Sequence, residues 1–302
     1  MTPLFIGSGV ALVTPFDKDG KINFGLFKKL IENQIANETD AVVVCGTTGE
    51  GSTLTVEERL KLFSVASETI KKRVPLICGT GSNSTSFTLD VAKRAEEYDI
   101  DAHLMVTPYY NKTSQSGLIK HYFTLADKLK KPIIVYNVPS RTGMNITPET
   151  YKTLSKHENI IAVKEADTNI PKLIKSLVLC EGNLDFYCGN DDLISVCTSF
   201  GFKGVISVLS NILPKYTHEM TLKGVNKDCD GCAKMQKDVM SLIESLFIDV
   251  NPVPIKAAMN YIGLNVGECR LPLSSLPENC REILYSCMKD HIEKIREENG
   301  SL

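Results

Sequence analysis

The chain has 302 residues, of which 43% are hydrophobic and 23% charged, and its net charge is −2. This balance shows no basic excess of the kind that binds nucleic acid, and it is typical of a globular protein with a large core. No run approaches roughly 18 consecutive apolar residues, and residues 1–10 lack the basic flank and apolar run of a signal peptide. We therefore expect a cytoplasmic protein that binds neither a membrane nor nucleic acid.

Short runs rich in Val, Ile and Leu alternate along the chain with segments whose apolar residues recur at helical spacing. This alternation is typical of βα units around a parallel sheet. Two of the clearest helical segments are residues 56–72 and 117–131. In chain order, the predicted strands are GVALVTP near residue 10, AVVVC (41–45), VPLIC (74–78), DAHLMV (101–106), PIIVY (132–136), IIAVK (160–164), LDFYC (184–188) and KGVIS (203–207).

Eight such units within residues 1–225 predict an α/β fold, a (β/α)₈ TIM barrel that forms the catalytic domain. The pattern alone leaves a doubly wound open sheet as an alternative. Residues 226–302 form a second predicted domain, because the segment 228–298 reads as wholly helical. Within it, NPVP at residues 251–254 breaks and restarts the helical pattern.

The sequence also carries few signs of a metal or cofactor site. Its ten cysteines are scattered through apolar segments, so we expect most of them to be small buried side chains. The one CxxC motif, Cys229 with Cys232, has no second CxxC, and the nearest histidine, His218, stands alone. A phosphate-binding GxxxxGK[ST] motif does not occur, and Gly79 with Gly81 lacks the third glycine of a dinucleotide fingerprint. We therefore expect neither a metal nor a cofactor.

Lys164 ends the sixth predicted strand. A lysine at such a position usually reaches the surface and keeps its ammonium in water. However, the four apolar residues before it can form a desolvated pocket, which favours a neutral, nucleophilic amine that forms Schiff bases with ketones. Alternation along the strand directs Glu165 to the opposite face, so its charge need not hold the ammonium protonated. Lys164 is therefore a candidate catalytic residue.

In a barrel, the loops after the strands meet at one mouth, and here they are rich in glycine, hydroxyl and amide groups. No histidine lies beside a second ligand at a strand end, which argues against a metal-dependent aldolase. Proton transfer then depends on hydroxyl groups, which the strand ends supply at Tyr136, Tyr110 and Thr48. Each of these residues alone is explained by packing or by an interface, but together with Lys164 they form a candidate catalytic constellation.

Five segments occur in a characteristic order and spacing: GTTGEGSTLT (46–55), VTPYYNKTSQSGL (106–118), YNVPSRTG (136–143), IIAVKEA (160–166) and GVISVLSN (204–211). Together they resemble the dihydrodipicolinate synthase family, and the resemblance runs from Ile6 to beyond Asn260. The lysine and GTTGE motifs are shared with the wider superfamily of pyruvate-dependent class I aldolases, which includes N-acetylneuraminate lyase. YNVPSRTG is the narrower signal.

The resemblance implies a barrel with a C-terminal helical domain, usually assembled as a homotetramer of two tight dimers, and no cofactor. It implies condensation of pyruvate with aspartate semialdehyde in lysine biosynthesis, with Lys164 forming the imine. Tyr136 would relay protons through Thr48 to Tyr110, which the resemblance places across the tight-dimer interface.

The resemblance also implies the residues that bind substrate. The amides of Thr47 and Thr48 would hold the pyruvate carboxylate, as anion-binding nests do, and Arg141 would clamp the carboxylate of the semialdehyde. Gly189 and Ile206 match positions whose backbone lies against the lysine and the substrate. A glycine turn and an apolar strand end also have purely structural explanations.

Two other functions stay open. An aldolase of the same superfamily that cleaves a sugar acid or a 4-hydroxy-2-oxo acid would keep Lys164 and Tyr136. It has less reason to carry Arg141, because its aldehyde partner typically lacks that carboxylate. A non-catalytic binding barrel would normally have lost the lysine or the relay, and both are present here.

The resemblance bears on regulation as well, because lysine-inhibited relatives bind the end product in a polar cleft at the tight-dimer interface. Phe87 stands where those relatives place the carboxylate that pairs with the ammonium of lysine, and Val56 replaces a polar group. Arg59 adds a positive charge, so we expect an enzyme that is insensitive, or nearly so, to L-lysine. Helix packing is the alternative explanation for Val56 and Phe87. The aligned positions are Gly51, Ser52, Val56, Arg59, Asn83, Phe87 and Tyr109.

Overall fold

The computed structural model describes residues 2–300, so Met1, Ser301 and Leu302, which the two predicted domains include, lie outside the described residues. Eight parallel strands close into a barrel in chain order. The first strand pairs with the last as well as with the second, which confirms the predicted (β/α)₈ barrel and rules out the open sheet. The strands are β1 (Gly7–Ala11), β2 (Ala41–Val44), β3 (Leu76–Gly79), β4 (Ala102–Val106), β5 (Ile133–Asn137), β6 (Ile160–Glu165), β7 (Asp185–Cys188) and β8 (Gly204–Ser207).

Helices follow the strands and cover the outside of the barrel. These are α1 (Phe24–Ala36), α2 (Val56–Ile70), α3 (Thr85–Ala95), α4 (Gln115–Ala126), α5 (Pro139–Thr142), α6 (Pro148–Leu154), α7 (Ile170–Cys180), α8 (Ile194–Ser199) and α9 (Pro214–Val225). The C-terminal region adds α10 (Cys229–Asp238), α11 (Met240–Ser245), α12 (Val253–Tyr261), α13 (Glu278–Lys289) and α14 (Ile292–Asn299). None of the described helices combines the length and the apolar character that crossing a membrane requires.

The expectation that residues 228–298 are wholly helical is wrong for one stretch. The break at NPVP is confirmed, because residues 246–252 are not helical and α12 begins within the motif at Val253, but residues 262–277 form no helix. This stretch is held by long-range hydrogen bonds instead: Lys256 donates to the carbonyl of Glu268 at 3.0 Å, and the amide of Arg270 donates to Glu50 at 2.9 Å. Backbone groups bound to the rest of the molecule in this way need no helical partners.

Side chains alternate between two cores along the strands. Ala162, Tyr136 and Ile206 belong to the core inside the barrel, whereas Val163 packs outward beneath the helices. Lys164, two residues after Ala162, therefore shares the inner face. Strands buried on both faces read as nearly continuous apolar runs, which is why the sequence predicted them well. Six of the ten cysteines are also buried, as expected.

The last helix, α14, docks on the first turn of α9. The carboxylate of Glu298 accepts hydrogen bonds from the amides of Lys215 and Tyr216 at 2.9 and 3.2 Å, where a helix N-terminus favours negative charge. The side chain of Asn299 donates to the carbonyl of Ile212 at 2.8 Å. Burial raises the pKa of Glu298 to about 7. The C-terminal helix is thus attached through an ionisable buried side chain.

Candidate active site

Lys164 lies at the carboxyl end of β6 and is only 6% exposed, so the explanation that it reaches into water is wrong. Its Nζ lies 4.6 Å from the centre of the Tyr136 ring. The two residues are direct neighbours in the pairing of β5 with β6. Within residues 2–300, Lys164 forms no ion pair. The structure therefore encloses the amine beside the tyrosine that the sequence predicted as its partner.

Glu165 points to the other side of β6, as alternation along the strand predicted. Its carboxylate accepts hydrogen bonds from the hydroxyl of Tyr151 at 2.6 Å and from the side-chain Nδ2 of Asn137 at 2.7 Å. Burial raises the pKa of Glu165, and burial together with this carboxylate raises that of Tyr151. The strand backbone thus separates this buried carboxylate from Lys164.

The GTTGE loop follows β2 and turns sharply. Cys45 and Glu50, at the two ends of the turn, have φ values of 56° and 54°, in the left-handed region that costs backbone energy and is common at functional sites. A Cβ on Gly51 would lie 2.3 Å from the carbonyl oxygen of Cys45, so only glycine fits there. Among residues 2–300, the amides of Thr47 and Thr48 have no hydrogen-bond acceptor. These two donors are available to a ligand.

The loop lines a cavity of about 390 Å³ together with Tyr136 and Arg141. Arg141 lies on the short helix α5, and its Nη2 donates to the carbonyl of Asn251 at 3.0 Å. The side chain of Asn251 in turn donates to Oγ1 of Thr48 at 3.0 Å. Asn251 therefore joins two predicted site residues, although it was absent from the predicted set.

Asn251 is buried, and its Oδ1 has no hydrogen-bond partner among the described residues. Its position at the start of the NPVP motif is the sequence signal that could have identified it. A polar residue that opens a helix break within an apolar stretch needs an explanation, and the contact with Thr48 supplies one.

Asp191 is a buried acidic residue that interacts electrostatically with Lys164 and that the prediction did not include. It is fully enclosed after β7, and its Oδ2 accepts hydrogen bonds from the amides of Val208 and Leu209, both at 2.9 Å. Burial raises the pKa of Asp191, while the positive charge of Lys164 acts in the opposite direction. Its Oδ1 has no partner among residues 2–300. The acidic pair after the seventh predicted strand was the available sequence signal.

Gly189 and Ile206 lie at the ends of neighbouring strands, and packing explains both. The amide of Gly189 donates to the carbonyl of Glu165 at 2.7 Å, and a Cβ there would lie 2.9 Å from that of Ala166. Ile206 is buried in the inner core that also contains Tyr136. Gly189 thus packs against the end of β6, and Ile206 helps to fill the interior of the barrel.

Tyr110 is not brought to the other predicted residues within one chain. Its side chain is 92% exposed, and its φ of 68° is one that tyrosine rarely adopts. Within the described part of the chain, no hydrogen bond joins Tyr136 to Thr48 or either of them to Tyr110. The single chain therefore leaves the three residues of the predicted relay unconnected and displays Tyr110 outward.

The assembled groups are an enclosed amine, two unpaired amides, hydroxyl groups and an arginine, a set that suits a ketone bearing a carboxylate. No cluster of three or more potential metal ligands occurs in residues 2–300. Asp191 and Asn251 each add a buried oxygen atom that has no hydrogen-bond partner among residues 2–300, but neither residue lines the cavity.

The profile of the dihydrodipicolinate synthetase family matches residues 4–291. The chain belongs to this family. It is 45% identical over 289 residues to the 4-hydroxy-tetrahydrodipicolinate synthase of Acetivibrio thermocellus. The aligned residues make up 96% of this chain and 98% of the relative. The match confirms the resemblance seen in the sequence.

Two solved structures of dihydrodipicolinate synthetase relatives share the fold. One is the chloride-inhibited dihydrodipicolinate synthase of Acinetobacter baumannii complexed with pyruvate, with a TM-score of 0.93, 38% identity, and coverage of 94% of this chain and 98% of that one. The other is the Cyanidioschyzon merolae enzyme with lysine bound, with a TM-score of 0.92, 33% identity, and coverage of 96% and 99%.

Proposed function

We propose that the protein is a 4-hydroxy-tetrahydrodipicolinate synthase that condenses pyruvate with L-aspartate 4-semialdehyde through a Schiff base on Lys164. The observation that carries this proposal is the position of that amine, 6% exposed inside the barrel and 4.6 Å from the ring of Tyr136. The name of the Acetivibrio thermocellus relative and the pyruvate in the Acinetobacter baumannii structure support it.

In the proposed reaction, Nζ of Lys164 adds to the ketone of pyruvate, and loss of water gives an imine. The protonated imine withdraws electrons and acidifies the methyl group, and the resulting enamine carbon attacks the aldehyde. Tyr136 passes protons during imine formation. Because Oγ1 of Thr48 accepts the amide hydrogen of Asn251, the hydroxyl proton of Thr48 points elsewhere and can serve the relay.

Substrate carboxylates bind at two places in this proposal. The unpaired amides of Thr47 and Thr48 hold the carboxylate of pyruvate, and Arg141 holds that of the semialdehyde. Arg141→Ala should therefore damage the aldehyde half-reaction by about 2–5 kcal/mol while leaving imine formation with pyruvate nearly intact. Equal loss in both half-reactions would mean that Arg141 has only a structural role.

The deciding experiment is reduction with borohydride in the presence of labelled pyruvate. The added mass should appear on the peptide that contains Lys164 and should be absent from Lys164→Arg, because a guanidinium stays protonated and is a poor nucleophile. Lys203→Arg, which changes a more exposed lysine just before β8, is the matched control. In this variant the label should still appear on the peptide that contains Lys164. A label on another lysine would contradict the assignment.

A substrate panel separates the proposed synthase from the alternatives. Turnover with pyruvate plus aspartate semialdehyde should exceed cleavage of sialic acid or 2-keto-3-deoxygluconate, since Arg141 matches a carboxylate that the sugar-acid aldolases lack in their aldehyde partner. A barrel without catalytic activity would give no trapped adduct at all.

The proposed assembly is a homotetramer of two tight dimers, in which Tyr110 completes the relay of a neighbouring subunit. Its 92% exposure and left-handed backbone support this role, since the side chain is displayed away from its own chain. We also propose that residues 1–225 form the catalytic barrel and residues 226–302 a helical domain. A variant shown to be monomeric should turn over more slowly, and full activity in such a monomer would contradict the shared site.

The proposed enzyme is insensitive, or nearly so, to L-lysine. Arg59 is buried with no acidic partner among residues 2–300, so a second cation there is unfavourable. Phe87 is 42% exposed and adds no charge, while Val56 packs on the core, which favours its packing explanation. The measurement is initial rate against L-lysine at saturating and subsaturating pyruvate. Clear inhibition below about millimolar lysine would contradict this interpretation.

A further inference from the structure

Arg59, on α2, is a buried cation without a counter-ion. It is 6% exposed, and its Nη2 donates one hydrogen bond, to the carbonyl of Gly79 at 2.6 Å. Its Nε is enclosed and has no acceptor. No carboxylate in residues 2–300 forms an ion pair with the guanidinium. Of the five N–H donors of the guanidinium, only one has a protein acceptor among residues 2–300.

Such burial is unfavourable unless a negative charge compensates for it. The surroundings of Arg59 include Cys45, and burial raises the pKa of its thiol to about 12, so this neighbour supplies no negative charge at neutral pH. Desolvation accordingly lowers the pKa of Arg59. Lys256, another deeply buried cation, has Glu50 at 2.8 Å. The fold supplies a counter-ion at one site and leaves it out at the other.

Arg59 also borders empty space. It lines the cavity of about 390 Å³ together with Ser52 and Tyr109, whose hydroxyl groups can donate hydrogen bonds. Ser82 also lines this cavity, but its hydroxyl already donates to the carbonyl of Ser84 at 3.2 Å. Arg141 lines the same cavity and donates a hydrogen bond to the carbonyl of Asn251 in the C-terminal region. Arg59 instead donates to the carbonyl of Gly79 at the end of β3. The cavity therefore presents two arginines from separate elements of the fold.

We propose that this cavity contains a second anion site, in which Arg59 and the neighbouring hydroxyl groups bind the carboxylate of a small organic acid. This site is distinct from the one proposed for pyruvate at Thr47 and Thr48. The resemblance seen in the sequence implies that lysine-inhibited relatives bind a cationic amino acid in this region, but a guanidinium selects the opposite charge. The proposal does not depend on Schiff-base chemistry at Lys164.

The test is isothermal titration with succinate at constant ionic strength, with succinamide as an uncharged ligand of similar size. The protein is first reduced with borohydride in the presence of pyruvate, which blocks the site at Lys164. In an Arg141→Ala background, which removes the proposed semialdehyde subsite, the reduced protein should still bind one succinate per chain and should not bind succinamide. Arg59→Gln should weaken succinate binding by about ten-fold or more. Arg94→Gln, at a partly exposed arginine on α3, is the matched control and should leave binding unchanged.

A second measurement guards against a variant that fails to fold. Because Arg59→Gln removes an uncompensated buried cation, its melting temperature without succinate should equal or exceed that of the wild type, and succinate should raise only the wild-type value. Absence of succinate binding to the wild type, or equal binding by Arg59→Gln, overturns the proposal. If borohydride traps no pyruvate, the proposed catalytic function fails, and the same titrations on unreduced protein still decide the anion site.

Discussion

Removing the charge of Lys256 should destabilise the protein far more than removing that of a surface lysine. Lys256 and Glu50 are each 2% exposed, and Nζ lies 2.8 Å from Oε1 of the carboxylate. Lys256 also donates to the carbonyl of Glu268 at 3.0 Å and lies 4.2 Å from the centre of the Phe16 ring. The pair connects α12 to the end of the GTTGE loop. Lys256→Met keeps most of the packing and removes only the charge and its hydrogen bonds.

The expected loss follows from what the substitution leaves behind. Glu50 would keep one hydrogen bond, from the amide of Arg270 at 2.9 Å, but its buried charge would have no cation in contact. Breaking a buried ion pair from one side costs about 3–5 kcal/mol. At about 2 °C per kcal/mol for a chain of this size, the melting temperature should fall by roughly 6–10 °C. Imine formation with pyruvate should also slow, because Glu50 holds the loop that binds the carboxylate.

Differential scanning calorimetry at neutral pH measures this loss. The double variant Glu50→Gln/Lys256→Met should recover most of the stability, since both charges are then absent. Lys175→Met is the matched control: its partner Glu149 is exposed, as Lys175 itself is, and no measurable change is expected. A fall in melting temperature of less than about 2 °C for Lys256→Met would refute the reasoning, since it would mean that Lys256 is not needed to compensate the buried carboxylate of Glu50.

Three further predictions rest on single contacts. Asn251→Ala should lower kcat/KM, measured by steady-state kinetics, about five-fold because the hydrogen bond to Thr48 is lost. In a Thr48→Ala background, where this bond is already absent, the same substitution should have little further effect. Glu298, whose pKa is raised from 4.5 to about 7, contributes stability that is complete below pH 4.5 and is lost as pH rises through 7. Glu298→Gln should therefore show a flatter decline in melting temperature between these pH values; an unchanged slope would contradict the assignment. Gly51→Ala should destabilise the protein by roughly 1–3 kcal/mol and raise KM for pyruvate, because its Cβ would lie 2.3 Å from the Cys45 carbonyl oxygen.

The sequence by itself determined the features that depend on local pattern. Strands buried on both faces read as apolar runs, so the eight strands and the barrel were predictable, and the two-residue period of a strand placed Lys164 inside and Glu165 outside. Strand ends in a parallel barrel meet at one mouth, so it was predictable that Tyr136 lies beside Lys164 and that the GTTGE loop lines a cavity with Tyr136.

Only the tertiary structure decided the features that depend on contacts between distant parts of the chain. Asn251 reaches Thr48 across 203 residues and Lys256 reaches Glu50 across 206, and no periodicity or spacing rule encodes such pairs. Residues 262–277 lost their predicted helix for the same reason, because the hydrogen bonds that anchor them come from the rest of the molecule. The isolation of Arg59 also became visible only once burial and every neighbouring charge were known, since a sequence shows which charges exist but not which of them meet.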